Sequence, residues 1–313
     1  MKHIYFFLLT IMIIISVPDC ISLSSSDVNF GEIEITPERL LMEKYGKQFV
    51  DKFTDPQLFE KNHIIAYYGH PNSKIMGIVG RETKQRLAEL LREKAATYDK
   101  INGEKGVIPA IYLIYGTCQP GGKIGIMTPK MVKEYIDFAI DNGFLIYLDH
   151  QIGKYTLADA MNTLLPFLKY PNVHLAIDVE WRTDRPMKQI GHIRGNELND
   201  IQLQMKNYIL ENKISGKRQL VFHQFNYKML RDSSLAKSDY DPVMLVHTTS
   251  GWGGPKGKVS THALNSKVSN IPNKGFKLWL FYSNKKGVHF DSPLMSPETV
   301  LALNPQPGLI IYQ

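Results

Sequence analysis

Hydrophobic positions fall into two alternating patterns from residue 63 onward. The first is a near-continuous apolar run, as in Ile64-Ile-Ala-Tyr-Tyr68, Val107-Ile-Pro-Ala-Ile-Tyr-Leu-Ile-Tyr115 and Phe144-Leu-Ile-Tyr-Leu148. Further runs occupy 172–178, 218–225, 243–249, 276–282 and 308–313. Between them, apolar residues recur at helical spacing over Glu82 to Tyr98, Thr128 to Asn142, Thr156 to Leu168 and Asn196 to Asn212, and again from Ser296. The return segment around Lys228 to Leu235 is short. A strand covered on both faces is apolar throughout, whereas a half-covered one alternates. The runs therefore predict parallel strands buried beneath helices. About eight such strands over roughly 250 residues match the scale of a single-domain (β/α)8 TIM barrel of the α/β class. The last run would close the barrel against the strand at Ile64. An open doubly wound sheet fits less well, because Gly69-His-Pro-Asn after the first strand is not a phosphate loop.

The residues ahead of the barrel read differently. Met1-Lys2-His3 precedes an apolar run from Ile4 to Val17, then Pro18-Asp19-Cys20. That run has signal-peptide length and is short for a membrane span. Residues 1–23 are expected to be a signal peptide or lipoprotein leader, 24–62 a linker with an extra N-terminal helix, and 63–313 the barrel. Thr36-Pro37-Glu38 supplies the helix start, and Leu40, Leu41, Tyr45, Phe49, Val50 and Phe53 continue it. The leader predicts export: a periplasmic protein, an outer-surface lipoprotein or a secreted one. Membrane contact would come only through the leader or a lipid on Cys20.

Composition narrows the partners. Cys118 alone lies beyond the leader, so the mature domain has no intramolecular disulfide. A formal net charge of +7 and a pI near 9.1 favour acidic polymers or anionic surfaces. The lysines are scattered through loops without a tract interleaved with aromatics, so nucleic acid is not an expected partner. The expected molecule is a monomer without a cofactor.

Barrel enzymes carry their sites at the C-terminal ends of the strands. Those ends hold His70, Asp149 with His150, Asp178 with Glu180, His223, His247 and Tyr282. The run from Asn172 ends in Asp178-Val-Glu180-Trp181, and residues i and i+2 of a strand share a face. Two carboxylates on one buried face repel, which raises at least one pKa and yields an acid beside an ionised partner. Glu180, nearest the mouth, is the candidate general acid. Asp178 would orient it or hold a positive intermediate, with Asp149 beside it on the preceding strand. Tyr67, Tyr68, Tyr115, Tyr147, Trp181, Trp252 and Tyr282 supply amphipathic rings that could stack on sugars. His70, His150, His223 and His247 join Tyr68, Tyr115, Trp181, Trp252 and Tyr282 as candidate substrate contacts. Ser250-Gly-Trp-Gly-Gly-Pro-Lys-Gly-Lys258 reads as a mobile lid whose lysines attract an anionic glycan.

The Asp178-x-Glu180 pair on a fourth barrel strand resembles the acidic motif of family-25 lysozymes and, more loosely, of family-18 chitinases. That resemblance implies a glycoside hydrolase acting on a polysaccharide or cell-wall glycan, with Glu180 as proton donor and Asp178 assisting. The chain departs from the longer chitinase motif at Val173 and Ala176, and from the lysozyme pattern at Gly69-His70. Two other readings stand beside it. His223 and His247 with Asp149 or Asp178 would suit a metal-dependent hydrolase of amidohydrolase type. A non-catalytic glycan-binding surface protein would keep the aromatics without needing Glu180.

Overall fold

The computed structural model describes residues 36–283 and 288–313. The leader, Cys20 and the serine linker lie outside the described residues. Eight parallel strands form the centre: β1 (Asn62–Gly69), β2 (Gly106–Cys118), β3 (Leu145–Gln151), β4 (Val173–Asp178), β5 (Arg218–Gln224), β6 (Val243–Thr249), β7 (Lys274–Leu278) and β8 (Leu309–Tyr312). Each pairs with its sequence neighbour, and β8 also pairs with β1 at Ile64↔Leu309 through Tyr67↔Tyr312. The sheet is therefore a closed (β/α)8 barrel, as the apolar runs predict. Beyond its barrel portion β2 turns back in a hairpin with Ile124–Ile126.

Alternation sorts each strand between two apolar layers. Ile64, Ala66, Tyr68, Tyr112, Tyr147 and Val221 fill the interior, with Phe53 and Leu58 in the same cluster. Ile65, Ile111, Leu148, Leu175, Phe222 and Ile310 face the helices. Those helices begin where their caps predict. Thr83, Thr128, Thr156 and Ser296 each accept a backbone N–H through the side-chain hydroxyl. Between strands run α4 (Lys84–Asp99), α5 (Pro129–Asn142), α6 (Leu157–Leu164), α7 (Gly195–Glu211), α8 (Pro255–Ser266) and α9 (Pro297–Leu301).

Three expectations about elements change. The single N-terminal helix is broken into α1 (Pro37–Tyr45) and α2 (Lys47–Thr54), followed by a short α3 (Leu58–Lys61). Gly46 sits at φ +86°, ψ 155°, a conformation that side-chain-bearing residues rarely adopt. The strand expected to reach Tyr282 ends at Leu278. Pro255 to Lys258, expected within a mobile lid, open α8 instead. No helix among the described residues is long and apolar enough to cross a membrane.

Candidate active site

The expected side-by-side placement of Asp178 and Glu180 on one strand does not occur. β4 stops at Asp178, and Val179–Trp181 forms a single 3-10 turn. Val179 is buried in the helix-facing layer, which anchors the turn. Gly191 N–H donates to the Glu180 carbonyl at 2.7 Å. On either side of this change from strand to turn, Asp178 and Glu180 still line one pocket at the C-terminal mouth. This pocket has a volume of about 280 Å³. Its walls include Tyr68, Gln151, Trp181, Lys277, Trp279, Tyr282 and Gln313.

Burial and mutual repulsion set the acidities. Asp178 is pushed up to about 6, first by loss of water and then by Asp149, against the pull of His223 and Lys277. Half-buried Glu180 rises to about 8 through desolvation and the nearby Asp178 charge. Lys277 and a hydrogen bond from the Trp181 side chain offset part of that rise. Near neutrality the pair is thus one ionised acid and one protonated acid, a division that suits acid/base work.

Asp149 is not level with Asp178. Register pairs Asp149 with Ala176 and Gln151 with Asp178, so Asp149 lies one layer deeper, beneath the pocket. It is fully buried there. The Tyr68 hydroxyl donates to its Oδ2 at 3.0 Å, and His223 Nε2 lies 3.4 Å from the same oxygen. Tyr112 shares His223 Nε2 at 2.9 Å. Asp149 and His223 therefore support the pocket floor rather than touch its contents.

Several expected contacts face the other way. His150 and Tyr115 sit in the helix-side layer, their rings 6.0 Å apart, and the Tyr115 hydroxyl donates to the Thr163 carbonyl. His247 aligns with Phe222, an outward residue, and stacks on its ring at 4.5 Å. Its Nε2 meets Gln224 Oε1 at 2.7 Å. A one-residue step along a strand reverses the face. This separates His223 inside from His247 outside, so the two histidines required by the metal-hydrolase reading do not converge. Among the described residues no three His, Cys, Asp or Glu side chains gather as metal ligands. His70 lies in the turn after β1, accepting the Asn72 N–H at Nδ1. Trp252 is at the rim, exposed, its ring stacked 4.4 Å from that of His289, which lines the pocket. Tyr68, Trp181 and Tyr282 do border the pocket, although Tyr282 follows the strand rather than ending it.

Sequence reading passed over Lys277 and Trp279. Lys277 shares the inward parity of β7 with Gly275, and Trp279 follows directly after the strand's end. Lys277 is 3% exposed, its Nζ 3.5 Å from the Tyr68 ring centroid and 4.9 Å from that of Trp279. Trp279 is fixed by Nε1 donating to the Ser250 carbonyl and N–H donating to Asp291. Asp291 also accepts the Gly253 N–H and pairs at 3.1 Å with Lys258. Lys258 therefore binds the mouth loops together instead of attracting a ligand.

No protein-family profile matches the sequence, and no curated protein is similar to it. Among solved structures, a family-18 chitinase of Flavobacterium johnsoniae is 10% identical. The match covers 80% of this chain and 87% of the chitinase, with a TM-score of 0.40. A trimodular family-5 endoglucanase is 12% identical over 83% of this chain and 57% of its own, with a TM-score of 0.43. An F420-dependent secondary alcohol dehydrogenase is 10% identical over 70% and 69%, with a TM-score of 0.34. At such identities and TM-scores none of them bears on the chemistry of this pocket.

Proposed function

We propose that the barrel mouth hydrolyses O-glycosidic bonds of a polysaccharide or cell-wall glycan, with Glu180 as general acid. The observation that carries this reading is the convergence of Asp178 and Glu180 in one aromatic-walled pocket, where burial pushes both carboxyls above their ordinary range. A glycosidic leaving oxygen needs a proton as its bond breaks, and the sugar ring left behind gains positive charge. Glu180, protonated up to about pH 8, can supply the proton. Asp178, ionised above about pH 6, can stabilise the cationic ring or assist the attacking group. Trp181, Trp279 and Tyr282 offer apolar faces to a pyranose, while Gln151 and Gln313 offer hydrogen bonds to hydroxyls. Asp149 and His223 serve as the supporting layer. The apolar leader adds export to the proposal, with the glycan of a cell envelope or an external polymer as the partner.

The test is turnover of a glycan panel by the mature chain beside Glu180→Gln and Asp178→Asn. General acid catalysis contributes about 10²–10⁴-fold, and both variants should lose activity on that order. Equal rates in wild type and Glu180→Gln would refute the assignment.

A further inference from the structure

Lys277 is the pocket's unexplained charge. It is the one lysine or arginine among the described residues lining the pocket. Three acids surround it, Asp149 from β3 and Asp178 and Glu180 from the end of β4, and each acts on it electrostatically. Yet among the described residues its ammonium makes no hydrogen bond and comes within ion-pair distance of no carboxylate. Two rings hold it instead, Tyr68 from β1 and Trp279 beyond β7. The Tyr68 hydroxyl donates to Asp149, so one side chain both seats the cation and fixes the deepest acid. A buried charge not committed to a single partner is costly to the fold. Such an arrangement serves a field felt by several groups better than it serves one salt bridge.

We propose that Lys277 is the positioning residue of the acid pair, a shared counter-charge seated on aromatic rings that acts on Asp178 and Glu180 together. This inference rests on the glycosidase reading for its catalytic meaning, but not for its electrostatic content. The other titratable groups facing the pair are Asp149, His223 on β5, the buried phenols Tyr68 and Tyr112, and Tyr282 and His289 on the pocket wall. Of these, His223 and His289 are able to add positive charge; His223 is engaged with Tyr112 and Asp149, and His289 is stacked on Trp252. Removing the Lys277 charge must therefore make both carboxyls harder to ionise. The signature is a displacement of the whole pH profile toward alkaline pH, both limbs moving in the same direction. A merely structural lysine would lower activity or stability without moving either limb.

The experiment compares full-length mature wild type with Lys277→Met, Lys277→Gln and Lys277→Arg. Two readouts are followed: the pH dependence of kcat/KM, and ¹³C NMR titration of side-chain carboxyls, which needs no turnover. Expected is an alkaline shift of both Asp178 and Glu180 on the order of one pH unit in the Met and Gln variants, with Arg restoring wild-type midpoints. Lys277→Gln, polar and neutral, carries the test if the Met variant does not fold. Unchanged midpoints in a folded neutral variant, or movement of one acid alone, would overturn the shared role. NMR shifts as expected in a protein that cleaves no glycan would sink the glycosidase reading and leave the electrostatic one standing.

Discussion

Asp178 and Glu180 carry the clearest consequences at the scale of single residues. If Asp178 must be ionised and Glu180 protonated, kcat/KM should rise through about pH 6 and fall through about pH 8. A rate profile recorded from pH 4 to 10 checks this, and a plateau extending past pH 9.5 would contradict it. Stability follows from the same shifts. Both folded-state values lie above the ordinary carboxyl values of 3.8 and 4.5. The stabilisation from burying neutral acids is thus complete below about pH 4 and is lost as pH rises through about 6 and about 8. Glu180→Gln stays neutral, so it should melt above wild type at pH 9 and match it near pH 4. The gain should be a few degrees, since 1 kcal/mol corresponds to about 2–4 °C in domains of 150–250 residues. The pair was legible because two acids closing an apolar run have little packing use. Lys277 was not legible, because the adjacent Trp279 to Tyr282 are apolar enough to prolong the apparent strand.

Among elements, strands and helices were readable in the sequence, but the direction of each side chain was not. In a strand sheathed on both faces, inward and outward positions are equally apolar. His223 and His247 therefore look equivalent until register places them on opposite faces. The loop after β6 misled in another way, since its glycines suggested mobility. Lys258 on α8 instead reaches the Gly251 and Lys277 carbonyls and the Asp291 carboxylate. Both members of that ion pair are almost completely buried. Removing one partner of such a pair costs about 3–5 kcal/mol, because the other charge is stranded. Asp291→Ala should therefore lose stability of that order in urea unfolding. Lys258→Met combined with Asp291→Leu should recover much of it. A loss below about 1 kcal/mol for Asp291→Ala, typical of exposed pairs, would show that the loops are held by other contacts.

For the whole molecule, the barrel was legible from the count and order of its apolar runs, and closure followed from β8 joining β1 to β7. That closure has a consequence in time. Seven of the eight strand–strand seams join elements separated by one connection, but the Ile64↔Leu309 seam spans the entire barrel sequence. Bringing such distant segments together is the slowest kind of contact to form, because the loop entropy is lost before the contact is made. An assembling chain should therefore pass through a curled, unsealed sheet whose two free edges are β1 and β8. Pulse-labelled hydrogen exchange during refolding should find the β1 and β8 amides protected last, after those of β3 to β5. Until that moment the Tyr68 ring has no completed wall behind it, so the acid pair acquires its unequal proton affinities only when the ring is sealed.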